Sequence, residues 1–320
     1  MLNEQLNQTI IAYLTIILAV FTWSLVEIIV KFVQNAVGPI ALSFFRYFIG
    51  GLFLLIILII KRDLSGIIKM IRNNWKVFLL ISIIASGLSN ILYFIGVNNT
   101  QANIASAILT TYPIWITIFS FFLLKEKSNI EYKIIGIILG VIGVFILITN
   151  FNFSGFLMQE NLLGNILVLC GSIIWGLYTP LGKRIQTNEE ETTNCALKFT
   201  MLSFVFTSIF ISFIVLLTPE VHTFFQYDLN SWFWVLFLGI IPTGFGQYIF
   251  FLGVKHIEVS KGISLAFLKP VFATILAFFI LQEQTTFTLL ISIGLVSCSV
   301  ILINRNRNNA EIEEFNKIKP

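Results

Sequence analysis

The chain has 320 residues, of which 57% are hydrophobic and only 11% are charged, and its formal net charge is +4. Soluble domains carry about 25% charged residues, so water cannot be the main solvent of this protein. No stretch between its apolar runs is long enough to form a separate soluble domain. The composition therefore excludes a water-soluble enzyme or binding module and indicates a polytopic membrane protein.

Apolar runs recur along the whole chain and are separated by short polar or charged breaks. Each run is close to the roughly 20 residues that a membrane-spanning helix needs. The first run lacks the basic start and the small-residue cleavage site of a secretory signal, so it counts as a span. We predict ten membrane-spanning helices, at residues 9–30, 40–60, 76–96, 102–124, 131–150, 162–182, 197–217, 231–253, 260–281 and 286–304.

The basic residues of the chain fall almost entirely on one side of the predicted membrane. If the N-terminus is cytoplasmic, all of the 20 Lys and Arg residues except Lys31, Arg46 and Lys269 lie in cytoplasmic segments. Cytoplasmic loops of membrane proteins carry an excess of Lys and Arg. We therefore expect a multi-pass protein of the cell membrane with both termini in the cytoplasm. This distribution also explains the positive net charge without a nucleic-acid partner.

The two halves of the chain resemble each other at a fixed offset of 157 residues. Apolar composition alone would not align Trp, Gly, Pro and Glu residues together. Identical residues at this offset include the pairs Trp75 and Trp232, Gly87 and Gly244, Pro113 and Pro270, and Glu126 and Glu283. A weaker match at an offset of 152 extends the repeat to the first helix of each half, through Trp23 and Trp175.

Five spans in each half would make the second half enter the membrane from the opposite side. We therefore predict an all-α membrane protein of two inverted five-helix repeats, residues 1–155 and 156–304, followed by a polar cytoplasmic tail at 305–320. Inverted repeats are typical of secondary transporters, because two pseudo-symmetric halves can expose a midplane site to alternate faces.

Several segments resemble those of a known family: FTWSLVEIIVK (21–31), SFFRYF (43–48), TYPIWITIFSFFLLKE (111–126), SIIWGLYTPLGK (172–183) and LKPVFATILAFFILQE (268–283). Through them the chain is similar to the EamA-type members of the drug/metabolite transporter superfamily. The resemblance implies a ten-helix fold with a central cavity between the halves. It also implies export or exchange of amino acids, other small metabolites or drugs. Lys269 departs from the commonest pattern, in which an acidic or neutral residue is more usual.

Lys269 lies near the middle of the predicted ninth helix, immediately before Pro270. A charge at that depth costs about 2.5–3.5 kcal/mol on insertion scales, so it needs a partner or a cavity. We interpret Lys269 as a cation that binds a substrate carboxylate or phosphate, or that exchanges a proton. The structural alternative is an ion pair, or a cap on the carbonyl that the proline leaves unbonded.

Other polar or amphipathic side chains lie at span depth, where bare lipid would penalise their hydrogen-bonding atoms. Asn90 and Gln247 are repeat partners at the offset of 157, which places two amides at equivalent depths. Hydrogen bonds between helices are the alternative explanation for such residues. With Lys269, the predicted substrate-binding residues are Trp23, Asn90, Tyr112, Trp175, Tyr178 and Gln247.

Four further residues are candidates for coupling or gating. Arg46 lies about two turns inside its span, either as an anchor that reaches the headgroups or as a cation at the cavity mouth. Glu27 either forms a helix-stabilising pair with Lys31 at i, i+4 or takes a proton and couples transport to it. Pro113 and Pro270 could act as hinges, although prolines also kink static helices.

Motifs of ATP hydrolysis, metal-dependent hydrolysis and serine hydrolysis are absent, and the two histidines, His222 and His256, belong to no metal-binding cluster. We therefore predict a secondary active transporter rather than an enzyme, with no catalytic residues, cofactor or metal. Its expected partners are the bilayer and a small solute, an amino acid or related carboxylate being our first choice. Drug or cationic-compound efflux is one alternative, and a membrane enzyme or lipid-head-group-handling protein is another. The Gly136–Gly140 GxxxG spacing is compatible with a homodimer.

Overall fold

The computed structural model describes residues 2–33, 36–99, 108–109, 111–126, 129–149, 151, 162–224, 226–281 and 287–304. These residues form helices and turns and contain no strand, which confirms the all-α fold for this part of the chain. Six of the helical segments are long and apolar enough to cross a membrane, and shorter apolar helices accompany them. The total of ten spans stays a prediction.

The first half consists of α1 Leu2–Val33, α2 Pro39–Ile60, α3 Ile67–Leu79, a π-helical segment Leu80–Leu88, α4 Ser89–Asn98, α5 Tyr112–Leu124 and α6 Ile130–Thr149. Helix α3 begins well before the predicted start at residue 76. Its first turns are amphipathic, because Met70, Asn74 and Phe78 are buried on one face while the basic residues between them are exposed. A span count based on apolar runs misses such a helix start.

The second half consists of α7 Leu162–Trp175, α8 Tyr178–Asn188, α9 Cys195–Val215, a 3-10 turn Pro219–Thr223, α10 Leu229–Leu238, a π-helical segment Gly239–Phe245, α11 Gly246–Val254, α12 Val259–Ser264, a 3-10 turn Leu265–Phe267, α13 Leu268–Leu281 and α14 Phe287–Asn304. The predicted sixth helix is therefore two helices. Pro180 has no N–H to bond the carbonyl of Gly176, so the helix breaks there. The second piece then continues to Asn188 and carries Lys183, which we had expected in a loop.

The duplication is visible in the structure. The two π-helical segments fall at equivalent positions, since Gly239–Phe245 corresponds to residues 82–88 at the offset of 157. Packing between the halves is reciprocal: α1 packs against α11, and the equivalent α7 packs against α4. Helix α2 packs against its own equivalent α9, and α6 packs against α14. Such pairing is expected of two halves related by a pseudo-twofold axis.

The outer surface suits lipid rather than water. Phe122, Phe213 and Phe279 expose 71%, 64% and 73% of their surface, and many other large apolar side chains are exposed around the molecule. A soluble monomer rarely leaves such extended apolar surface uncovered. The interior contains a continuous apolar core, to which α2, α9 and α11 contribute fully buried residues such as Leu54 and Phe250.

An acidic residue of the first half binds the start of α9 in the second half. The Asp63 carboxylate accepts hydrogen bonds from Lys198 Nζ at 2.7 Å, from Asn194 Nδ2 at 2.7 Å and from Thr193 Oγ1 at 2.8 Å. The Lys198 ammonium, followed by these neighbours, holds the pKa of Asp63 well below its ordinary value. Lys198 is fully buried and therefore needs a counter-ion, which Asp63 provides.

The equivalent contact occurs at the start of α2. Glu220 is the repeat partner of Asp63 at the offset of 157, and its Oε2 accepts the backbone N–H of Ala41 at 2.7 Å. Gly38 makes room for this carboxylate, since a Cβ there would collide with the Glu220 side chain. Each half thus supplies an acidic residue that binds the start of the equivalent helix of the other half, Asp63 through side chains at α9 and Glu220 through the backbone of α2.

Candidate functional site

A cavity of about 230 Å³ lies between the two halves. This is room for several water molecules, which fits a solute of amino-acid size. Of the predicted substrate-binding side chains, all except Tyr178 line the cavity: Trp23, Asn90, Tyr112, Trp175, Gln247 and Lys269.

The wall of the cavity is built from equivalent residues of the two repeats. Trp23 faces it with Trp175, and Asn90 with Gln247. Tyr47 and Phe204, which also correspond at the offset of 157, both line it and pack edge to face at 5.2 Å. Tyr112 and Lys269 form a further pair at this offset, with unlike chemistry. The cavity therefore lies where equivalent residues of the two halves meet.

Asn90 is held in place by contacts on α2 and on its own helix. Its Nδ2 donates to the hydroxyl of Tyr47 at 2.9 Å and to the carbonyl of Ser86 at 2.7 Å. The bond to Tyr47 joins two helices, which is the alternative role that the sequence left open. Both donors of the amide are thus engaged, and its oxygen is the part that can accept a hydrogen bond from a solute.

Arg46 lies in the wall of the cavity. Its Nε donates to Thr243 Oγ1 at 3.2 Å, on the π-helical segment of the other half. The two elements approach closely because Gly50 faces this segment: a Cβ at Gly50 would stand 3.0 Å from the carbonyl oxygen of Gly239. This backbone contact brings Thr243 within reach of the guanidinium.

Lys269 is the second cation of the wall, at the start of α13. It comes from the second half and Arg46 from the first half. The described part of the wall contains no Asp or Glu. Two cations, one from each half, therefore line the same pocket.

Tyr178 does not line the cavity, contrary to the prediction. It is fully buried, and its hydroxyl makes a hydrogen bond of 2.9 Å with Ser203 Oγ. Its ring stacks on Trp175, with centroids 4.9 Å apart, and meets Phe251 edge to face at 5.6 Å. Tyr178 thus belongs to an aromatic layer beneath the cavity wall.

The gating candidates are placed differently from one another. Pro113 lies in the first turn of α5, where its missing N–H removes no helical hydrogen bond. It is buried next to Tyr112 but does not line the cavity. The side chains of Glu27 and Pro270 lie outside the described part of the structure, so the roles predicted for them stay predictions.

Contacts between the halves separate the cavity from one face of the molecule. We call it the basic face, because the segments that hold most of the Lys and Arg residues lie there. Asp63, Glu126, Lys183 and Glu258 lie on this face as well. Glu126, at the end of α5, binds the start of α12. Its Oε1 accepts the N–H of Val259 at 2.7 Å, and its Oε2 accepts the N–H of Ser260 at 3.1 Å and its hydroxyl at 2.8 Å. The fully buried Lys133 pairs with Glu258 at 2.8 Å beside this contact.

Lys183 closes the same face from α8. Its ammonium donates to three backbone carbonyls at the end of α11, those of Val254, Lys255 and Ile257. Thr179, one turn earlier on α8, lines the cavity. The contacts of Glu126 and Lys183 therefore lie between the cavity and the basic face. On α1, by contrast, the wall continues through Val30 toward the opposite face.

The sequence profile of the EamA-like transporter family matches residues 10–149 and again residues 162–305. The chain belongs to this family. The two matches coincide with the two halves described above. Membership makes the protein a multi-pass membrane transporter, and small solutes are the cargo of such proteins.

Similar curated proteins support the same assignment. A Bacillus subtilis protein named uncharacterized transporter YoaV is 27% identical over 290 residues, covering 90% of this chain and 95% of its own length. An uncharacterized transporter of Clostridium kluyveri is also 27% identical, over 308 residues that cover 94% of this chain and 96% of its own. Among solved structures, one crystal structure aligns with a TM-score of 0.73 at 22% identity, over 92% of this chain and 96% of that chain. This last likeness concerns the fold alone.

For this EamA-family chain, the sequence did not reveal the contacts of Thr243, Asp63 and Glu220. A signal existed for each of them. Thr243 corresponds to Ser86 at the offset of 157, so both π-helical segments carry a small hydroxyl residue at this point. Asp63 and Glu220 also correspond at that offset, as two acidic residues that are not identical.

Proposed function

We propose that the protein is a secondary active transporter that exports or exchanges a small organic solute through the cavity between its halves. The observation that carries this proposal is the construction of the site. Equivalent residues of the two repeats form the wall, and contacts between the halves close it toward the basic face. In transporters with inverted repeats, one half moves against the other around a fixed midplane site, so these contacts would open and re-form during each cycle.

We further propose that residues 1–155 and 156–304 are inverted repeats and that the basic face is cytoplasmic. The excess of Lys and Arg on that face supports this orientation. Both termini would then lie in the cytoplasm of a cell whose plasma membrane holds the protein. With this orientation, the cavity is closed from the cytoplasm in the conformation described above.

The proposed solute is an amino acid or a related carboxylate, with Lys269 in contact with it. Two cations, Arg46 and Lys269, line the cavity, and its described wall has no carboxylate to repel an anion. The aromatic rings of Trp23 and Trp175 would cover the apolar part of such a solute. The volume of about 230 Å³ matches a molecule of this size.

Counterflow in liposomes that contain the purified protein tests the proposal. Radiolabelled L-amino acids and small monocarboxylates should exchange against an internal pool, and Lys269→Ala should reduce the uptake by roughly tenfold or more if a charge-assisted bond is lost. Lys69→Ala, at an exposed position of α3, is the matched control. Folded protein that exchanges no solute of any class would refute the function.

A cationic solute is the second candidate, and the aromatic wall supports it. Rings of Trp and Tyr bind quaternary and protonated amines through their faces, and Trp23, Tyr112 and Trp175 all line the cavity. The same counterflow assay with a lipophilic amine separates the two candidates. Exchange of the amine without exchange of any carboxylate, unaffected by Lys269→Ala, would favour efflux of cationic compounds.

A further inference from the structure

The guanidinium of Arg46 is a permanent charge inside the membrane-spanning region. Unlike Lys, Arg is not deprotonated in proteins, so the charge cannot be removed by a pKa shift. A charge at this depth is expensive and is normally compensated by a partner or by water. The side chain lines the cavity and is partly buried.

Arg46 has one hydrogen bond in the described part of the structure. Its Nε donates to Thr243 Oγ1 at 3.2 Å, and the described residues give it no carboxylate partner. This leaves the two terminal nitrogens, which form the edge of the guanidinium that binds carboxylates with two parallel hydrogen bonds. Lys269 lines the same cavity.

The scaffold does not require a cation at this position. At the offset of 157, the repeat partner of Arg46 is Ser203, a neutral residue that bonds the buried Tyr178. The next residues, Tyr47 and Phe204, are equivalent in position and both line the cavity. The second half thus builds the same helix and the same part of the wall without a charge, which separates Arg46 from the packing of the repeat.

We propose that Arg46 is the anion anchor of the cavity. The two terminal nitrogens of its guanidinium receive the carboxylate of the solute in a bidentate contact, and Thr243 is a positioning residue that fixes the orientation of the guanidinium through Nε. This inference rests on the proposed transport function and names the group of the solute that the site recognises. It also assigns a role to Thr243, on the π-helical segment of the other half.

The test compares each acid with its own amide on the purified full-length protein. Thermal stability is measured with L-amino acids and small monocarboxylates, and each stabilising acid is then compared with its carboxamide at equal concentration and pH. A ligand that binds only the folded protein raises the unfolding temperature. We expect at least one acid to stabilise the protein and its amide to have no such effect.

Variants of Arg46 and Thr243 then show which residues bind the carboxylate of the stabilising acid. Arg46→Gln should weaken the Kd of the stabilising acid by roughly 10- to 150-fold, the value of one hydrogen bond to a charged group. Arg46→Lys should restore only part of the affinity, because an ammonium lacks the planar fork. Thr243→Val should raise the Kd roughly 2- to 10-fold, and Thr243→Ser, which retains the hydroxyl, should restore it. Arg184→Gln, at an exposed arginine on α8, is the control.

The outcomes separate the anchor from the transport function. An acid that stabilises Arg46→Gln as well as the parent overturns the anchor, and so does an amide that binds as tightly as its acid. If counterflow of a solute persists in either case, the transport function stands while the anchor falls. If no solute is exchanged or bound, both are overturned. Should Arg46→Gln fail to fold, Arg46→Lys carries the comparison.

Discussion

Glu126 is the residue whose replacement should most directly change which face the cavity opens to. Its carboxylate accepts three hydrogen bonds from Val259 and Ser260, at 2.7, 3.1 and 2.8 Å. These bonds join the end of α5 in the first half to the start of α12 in the second half. The change Glu126→Gln keeps the shape of the side chain and removes its charge.

The expected size of the effect of Glu126→Gln follows from the number of hydrogen-bond acceptors that the new side chain offers. A Gln amide has one oxygen, so one of the two backbone N–H groups that now point at the carboxylate would face an NH₂ group instead. Losing one charge-assisted hydrogen bond costs about 1.5–3 kcal/mol. That free energy changes the ratio of two conformations by roughly 10- to 150-fold. If the contact exists only while the basic face is closed, the population open to that face rises by this factor.

Cysteine labelling measures this population. Thr179→Cys, introduced after Cys170, Cys195 and Cys298 are replaced by Ser, places a thiol in the cavity wall. A membrane-impermeant maleimide added from the basic face should label it at least tenfold faster in the Glu126→Gln variant. Glu131→Gln, at an exposed position in the first turn of α6, should leave the rate unchanged.

Two results would refute this reasoning in different ways. If Glu126→Gln lowers the unfolding temperature but leaves the labelling rate unchanged, the contact stabilises the fold in every conformation and does not control access. If neither quantity changes, the three hydrogen bonds contribute no net free energy. Ser260→Ala, which removes only the hydroxyl bond, should give a smaller effect in the same direction.

Three further predictions concern contacts that hold the helices together. The pKa of Asp63 is lowered from its ordinary value of 3.8, so its stabilisation is present above that pH and is lost as the pH falls below it. The unfolding temperature should therefore fall more steeply between about pH 4 and about pH 2 in the parent than in Asp63→Asn. Lys183→Met leaves three backbone carbonyls without their donor and should destabilise the protein by about 1–3 kcal/mol, measured by denaturant unfolding; an unchanged midpoint would show that water replaces the ammonium. Gly50→Val drives a side chain against the carbonyl of Gly239. It should lower the free energy of unfolding by about 1–3 kcal/mol and weaken solute binding through Arg46. Gly294→Val is the control, because a Cβ there would meet nothing within 4 Å, and it should change neither the unfolding temperature nor the Kd.

Hydropathy predicted the helical fold, because apolar runs of spanning length leave few alternatives in a bilayer. It was less reliable where a polar group inside a helix is satisfied by the fold. Lys183 marked the end of a span in the sequence, yet α8 continues past it, because its ammonium binds carbonyls at the end of α11. The start of α3 was missed for a related reason, since its basic residues point outward while Met70 and Phe78 are buried.

The cavity wall was predictable from amphipathic side chains at span depth, but the same signal placed Tyr178 there wrongly. A tyrosine needs a partner for its hydroxyl, and either a water-filled cavity or a neighbouring side chain provides one. Ser203 provides it for Tyr178. The sequence contains both residues but not their distance, so it could not distinguish this buried bond from a cavity contact. Asn90 shows both roles together, because it bonds Tyr47 and also lines the cavity.

Residues that repeat between the two halves and residues that differ between them have different roles in the mechanism. Asp63 and Glu220 bind the starts of equivalent helices on opposite faces, which suits a cycle in which the two halves exchange conformations. The cations do not repeat: Arg46 corresponds to Ser203, and Lys269 to Tyr112. A motion shared by both halves gains nothing from a charge present in only one of them. A solute, however, is itself asymmetric, with an anionic end and an apolar end. Residues that break the symmetry of the cavity wall are therefore the ones through which we expect the protein to recognise its solute.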